Sequence, residues 1–292
     1  MVPVTLSSET DLAGWRQAAR ALRSRGVRPE EAAWSVRGTG GDLFGAPPLP
    51  TAEGPAFTTP RAFVDLAEKV ILHRSPDRFA LLYRMLWRLG GEPHLLQIHS
   101  DPDVQAAQRC VRAVSQAAHK MKAFVRFRQV SGPDDTEAYV AWFEPPHRVA
   151  ELTAPFFVRR FATMPFSILT PDACIHWDTR ELAVMPGADR SDAPSPDALE
   201  EYWRTYYASI FNPARLKVGA MRKEMPKRYW GNLPEARLIP ELIAQAEART
   251  TLMVGQEPSV PARRVVHAAP RAAIQEAAPT SLDAVRASLD AC

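Results

Sequence analysis

Cysteine is scarce in this sequence. The 292 residues hold three, Cys110, Cys174 and Cys292. They are too few and too scattered for a disulfide framework or a CxxC metal site, so a reducing, cytoplasmic setting is expected and no metal site is expected within the chain. No run of eighteen apolar residues occurs, and Met1 to Thr10 lacks a charged start followed by a hydrophobic stretch. Neither a membrane span nor a secretory signal is expected. HExxH, P-loop, GxSxG and dinucleotide fingerprints are all missing, which removes the commonest motif-based enzyme assignments. The net charge is only +3, so any affinity for a polyanion must come from local clustering rather than total charge.

Lysine is also rare, and its distribution is uneven. Five of six lysines fall in two segments, Lys120 and Lys122 in the first, Lys217, Lys223 and Lys227 in the second, each with several arginines. The first segment reads HKMKAFVRFRQV from His119 to Val130. From Lys122 onward polar and apolar residues nearly alternate, the period of a strand with one wet face. Arg126 and Arg128 would share that face, with Val125 and Phe127 turned to the core. Two readings are open: an amphipathic strand kept soluble by its cations, or a basic platform for a polyanion.

The rest of the chain has the composition of a globular protein, 46% hydrophobic and 24% charged. Residues 1–37 carry a helix from about Asp11 to Ser24 and a strand-like end, a unit too small for a core of its own that is expected to dock elsewhere. Residues 38–60 are rich in glycine and proline and read as a linker. In residues 61–252 helix starts are expected where a short polar residue precedes proline, at Ser75-Pro76, Asp101-Pro102, Ser195-Pro196 and Asn212-Pro213, and from Thr153 before Ala154-Pro155. Strands are expected from Lys122, at Ala138 to Phe143, at FSILT from Phe166, at CIHWD to Asp178 and at LAVM from Leu182. The fold class is α+β: a small antiparallel sheet flanked by helices, with a short N-terminal helical unit and a flexible C-terminal tail over residues 253–292.

The stretches HKMKAFVRFR, YVAWFEP, PFFVRRF, SILTPD and YYASIFNPARLKVGAMRKEMPKRYWGNLPEA resemble a bacterial domain family of unknown function linked to DNA metabolism and repair. The resemblance runs from roughly Phe63 to Arg249. It implies a DNA-metabolism domain that partners a radical-SAM protein acting on DNA, or that is fused ahead of an iron-sulfur uracil-DNA glycosylase of the UdgX type. The terminal SLDAVRASLDAC is similar to the opening of such glycosylases. That likeness implies Cys292 as a first ligand of a 4Fe-4S cluster in a longer protein, with no cofactor in this chain itself. VGQEP (Val254 to Pro258) superficially matches the glycosylase water-activating loop but lacks the glycine and acid that follow there.

Within the second segment, Arg215 and Arg222 are seven apart on one helical face, and KRYWGN presents Lys227, Arg228, Tyr229 and Trp230. Cations interleaved with flat rings suit a single-stranded or distorted nucleic acid, phosphates on the charges and bases on the rings; the alternative is that the rings fill the core. Arg159 and Arg160 sit among aromatics, one positioned for a phosphate while the other pairs with an acid such as Glu151 or Asp172. Catalytic candidates are thin: His119, His147 and His176 are spread along the body, with His119 beside Lys120, and His176 with Asp178, where a carboxylate could orient an imidazole as general base. The expected function is a DNA-binding accessory domain of a repair system without activity of its own. The alternatives are an enzyme acting on damaged bases or phosphodiesters, and a scaffold for a protein partner.

Overall fold

Asp11 starts the first helix as its sequence predicts, its carboxylate accepting the Gly14 amide at 2.7 Å. That helix, α1 (Leu12–Ser24), joins two strands, β1 (Val2–Leu6) and β2 (Ala32–Val36), which pair in parallel. β1 was not foreseen. The computed structural model describes residues 1–38, 58–131, 137–193 and 218–244, all within one compact unit, Met1–Glu247.

The N-terminal unit shares its core with two helices of the body, α2 (Arg61–Val70) and α3 (Arg78–Arg88). Trp15, Trp34, Phe63, Phe79 and Tyr83 interlock there, with ring centroids 5.7 to 6.5 Å apart. Burial pushes the Tyr83 phenol up to about 12, and its hydroxyl donates to the Val27 carbonyl at 2.6 Å. Arg78 is buried as well; its guanidinium donates to the carbonyls of Ile71, Ser75 and Glu9 and pairs with the Glu9 carboxylate. A buried cation saturated in this way holds the loop after β1 against the start of α3.

α4 (Pro102–Phe124) is capped by Asp101, which accepts the amides of Asp103 and Val104, and has proline in its first turn as expected. At 1.5 Å per residue its 23 residues span about 34 Å. Val104 and Ala107 pack into the first core, while Val114, Ala117, Ala118 and Met121 pack into a second. That second core is built on a five-stranded sheet, β3 (Arg128–Ser131), β4 (Glu137–Trp142), β5 (Phe166–Leu169), β6 (Ala173–Trp177) and β7 (Leu182–Pro186), in sequence order. The α+β class therefore holds, with one refinement. β4 and β5 run parallel, joined by α5 (Ala150–Arg160), while every other pairing in this sheet is antiparallel.

Three elements differ from expectation. HKMKAF is the end of α4, so β3 begins at Arg128 and not at Lys122. α5 starts at Ala150, and Pro155 lies inside it; Thr153 is buried, its hydroxyl donating to the Val149 and Ala150 carbonyls instead of capping a new helix. α3 begins at Arg78, just beyond Ser75-Pro76. In the last described stretch, α6 (Val218–Glu224) leads to 3-10 turns at Lys227–Asn232 and Pro234–Leu238. The expected starts at Ser195-Pro196 and Asn212-Pro213, most of the 38–60 linker and the 253–292 tail lie outside the described residues.

Candidate functional site

Both basic segments meet the last turn of α4, but that turn divides its cations. Lys120 is buried; its ammonium donates to the Glu224 carbonyl, the last of α6, and lies 3.0 Å from the Glu224 carboxylate. Lys122, two residues on, is exposed, with its ammonium 5.3 Å from the centre of the Phe156 ring on α5. Arg126 donates to the Glu235 carboxylate at 2.9 Å and to the Ala123 carbonyl at 2.8 Å. Lys120 and Arg126 thus hold the fold together rather than offering free charge, a correction to the picture of one wet strand face. Arg128 opens β3 opposite Val140 and is partly buried. Val125 is buried and Phe127 packs on the second core, as the alternation indicated.

Arg159 and Arg160 are exposed in the last turn of α5, where a cation also complements the helix dipole. Arg160 lies 5.8 Å from the Phe161 ring. Glu151 is exposed, and Asp172 pairs with Arg74 and Arg148. Arg222, Lys223, Lys227 and Arg228 are exposed, the last two lying over Trp230 and Tyr229 at 5.9 and 4.9 Å. Tyr229 is no stacking platform for a base: it is buried between Phe124 and Phe143, with centroids 5.5 and 5.1 Å away. Trp230 is half-buried, its indole N–H donating to the Met225 carbonyl at 3.0 Å. Arg215 lies outside the described residues.

The catalytic candidates do not assemble. His119 is exposed on α4. His176 faces Ser167 across β5 and β6, its Nδ1 2.8 Å from the serine hydroxyl. Asp178 closes the β6 to β7 turn, accepting the amides of Arg180 and Glu181 at 2.7 and 2.6 Å. Those amides, that of Glu181 first, hold its carboxyl below the usual range. The imidazole is therefore oriented by a hydroxyl, and the carboxylate serves the turn.

A cluster of which the sequence pointed only to His147 forms where the segments around residues 73 and 147 run together. The rings of His73 and His147 stack with centroids 4.3 Å apart. His73 Nδ1 accepts the Ser75 amide at 3.1 Å and His147 Nδ1 accepts the Arg74 amide at 3.2 Å. The Arg148 amide donates to the Leu72 carbonyl at 3.0 Å and locks the two segments. Arg74 reaches Asp172 at 2.6 Å, and Arg148 reaches Glu9 at 3.1 Å. Burial, then His73, Arg74, Arg228 and Arg148, press the His147 imidazole down to about 4. Burial, then Arg78 and Arg148, lower His73 as well. One signal could have marked the pair: of seven histidines, only these two are followed by arginine.

Beside this cluster lies a cleft of about 270 Å³, lined by Ser7 to Thr10 and Val36 to Arg37, at the carboxyl ends of parallel β1 and β2, and by Arg148, Glu151 and Asp172. Among the described residues no group of three or more histidine, cysteine or acidic side chains could hold a metal ion. Cys110 is half-buried and Cys174 buried, both free, and Cys292 lies outside the described residues. No helix among the described residues is long and apolar enough to cross a membrane. Residues 76–235 match the model of a family described as a domain of unknown function, DUF4130. No curated protein and no solved structure matches the chain.

Proposed function

The chain belongs to the DUF4130 family, whose model covers more than half of it, and from the placement of its cations we propose a DNA-binding accessory domain. The observation that carries the reading is that two groups of exposed cations border one turn, the end of α4. Lys122 and Arg160 lie beside the Phe156 and Phe161 rings, with Arg159 exposed next to Arg160, on one side; on the other, Arg222 and Lys223 sit in α6, and Lys227 and Arg228 just after it. Capture is electrostatic, on the phosphate backbone, with Trp230 and the flanking phenylalanine edges as the only candidate apolar support among these residues. The resemblance to DNA-metabolism proteins supports a repair setting, in which a radical-SAM protein or a fused uracil-DNA glycosylase performs the chemistry and this domain presents the DNA.

Each neutralised phosphate on a single strand lowers the slope of log affinity against log salt by about 0.7, because condensed counterions are released. A single-stranded oligonucleotide is expected to bind with a steep slope, and the triple variant Lys122→Ala, Arg159→Ala, Arg160→Ala to flatten it by about 2 across all sequences. Fluorescence anisotropy over a salt series measures both. An absence of binding at low salt sinks the reading, as does a slope that the triple variant leaves unchanged.

A further inference from the structure

We propose that the His73–His147 stack, together with Arg228, is a phosphate-binding subsite that receives a single phosphate group, supplied by the end of a nucleic-acid strand. A backbone N–H can only donate, so the amides of Ser75 and Arg74 require both Nδ1 atoms to be unprotonated acceptors. Neutral imidazoles in that state carry their protons on Nε2. Both Nδ1 atoms face the same turn, so both Nε2–H groups point away from it, and no described residue accepts from either. Two unsaturated donors on rings stacked 4.3 Å apart suit a tetrahedral oxyanion, which can accept from both.

The surrounding charge selects the ligand. Four guanidiniums, of Arg74, Arg78, Arg148 and Arg228, act on the two rings, against the carboxylates of Glu9 and Asp172 that pair with the first three. The excess of two positive charges repels a divalent cation, although paired imidazoles would otherwise suit one, and attracts an anion. Burial, and then that charge, keep the rings from becoming imidazolium, and a ring already protonated on Nε2 cannot act as a base there. The pair is a binding device and not a catalytic dyad. Arg228 is exposed, lies over the Tyr229 ring, acts on the His147 imidazole and forms no ion pair among the described residues, which leaves it to close on the bound phosphate. The subsite rests on the DNA-binding reading only for the source of that phosphate.

The test follows the imidazole signals of the full chain by long-range proton–nitrogen NMR, with inorganic phosphate, zinc chloride, a 5′-phosphorylated oligonucleotide and its 5′-hydroxyl counterpart. Phosphate is expected to shift both Nε2 resonances saturably, and Arg228→Ala, on the surface, to weaken that response about tenfold, the loss of one charge-assisted bond. His147→Phe keeps the stack while removing one donor, together with the acceptor of the Arg74 amide, and is expected to abolish the advantage of the 5′-phosphorylated strand. Rings that ignore phosphate and both oligonucleotides overturn the proposal, as does a response to zinc alone or one that Arg228→Ala leaves intact. The two readings fail separately. Salt-dependent binding of both strands with unmoved rings removes the subsite and leaves the DNA surface; rings that respond to phosphate while neither strand binds remove the DNA surface and leave the subsite.

Discussion

Replacing Lys120 separates structure from DNA contact most cleanly, because its sequence neighbourhood places it in the basic segment while its environment places it in the fold. The side chain is 5% exposed, and its ammonium meets both the terminal carbonyl of α6 and the Glu224 carboxylate. Lys120→Ala removes three methylenes worth about 0.8 kcal/mol each at full burial. It also removes charge-assisted bonds worth about 1.5–3 kcal/mol, of which the lower end applies because the Glu224 carboxylate is largely open to solvent. The rotamer freedom regained by losing a lysine side chain offsets about 1.5–2 kcal/mol. The net expected loss is about 2 kcal/mol, a fall of roughly 4–8 °C in Tm for a body of this size. Lys120→Met keeps the stem and isolates the charge, with an expected loss of about 1–2 kcal/mol. Urea unfolding measures both, and oligonucleotide affinity of the folded variants is expected to match the parent. Lys122→Ala is expected to do the reverse, weakening DNA binding without affecting stability. A Lys120→Ala protein as stable as the parent, yet weakened toward DNA like Lys122→Ala, would refute this reasoning.

Three further outcomes follow from buried or crowded groups. His147 falls from an ordinary value of 6.5 to about 4 in the folded chain, so the unfolded chain binds more protons between these values; its contribution to stability is complete above pH 6.5 and is lost as the pH falls toward 4. The full difference corresponds to about 3 kcal/mol, reduced to about 1–2 kcal/mol because solvent screens the half-exposed ring, and His147→Phe is expected to flatten thermal stability over that window. The Tyr229 hydroxyl is buried without a protein partner among the described residues, so Tyr229→Phe is expected to be neutral or to stabilise by up to about 1 kcal/mol, against a loss of about 3–5 kcal/mol for Tyr229→Ala. A destabilised Tyr229→Phe in urea would reveal a partner for the hydroxyl. A Cβ on Gly187 would lie 2.0 Å from the Pro171 carbonyl oxygen, which is backbone and cannot swing aside, so Gly187→Ala is expected to lose about 1–3 kcal/mol in the same measurement.

Local signals in the sequence were reliable where one residue determines a local geometry. Asp11 and Asp101 cap the helices that their positions predict, because a carboxylate before a helical run satisfies amides that nothing else reaches. Pro155 misled because the rule that places proline in a first turn is statistical: Phe157, Ala154 and Thr153 are buried along one face of α5, and that packing carries the helix through the proline. β1 was missed although Val2, Val4 and Leu6 alternate with Pro3 and Thr5, because five residues with a proline among them are a weak signal and their strand character comes from pairing with β2 some thirty residues later. The His73–His147 stack is of the same kind. Residues 73 and 147 meet only because α3, α4 and two strands return the chain to the same place.

The basic segment itself shows why sequence spacing alone could not sort its cations. In a strand, residues two apart share a face, so Lys120 and Lys122 would both have been wet or both buried; in a helix they are about 200° apart and must diverge. The boundary between the two periods falls at Phe124, inside the quoted stretch, and apolar residues on either side of it satisfy both patterns. What decides the matter is which faces of α4 are already occupied. The side carrying Ala117, Ala118 and Met121 fills the second core, and the terminal carbonyl of α6 attracts the neighbouring cation. Lys122 is left outside, over the Phe156 ring. Any DNA surface here is therefore the remainder after the fold has taken the charges it needs, so its affinity has to be judged from Lys122, Arg159, Arg160 and the cations after α6, with Lys120 and Arg126 subtracted.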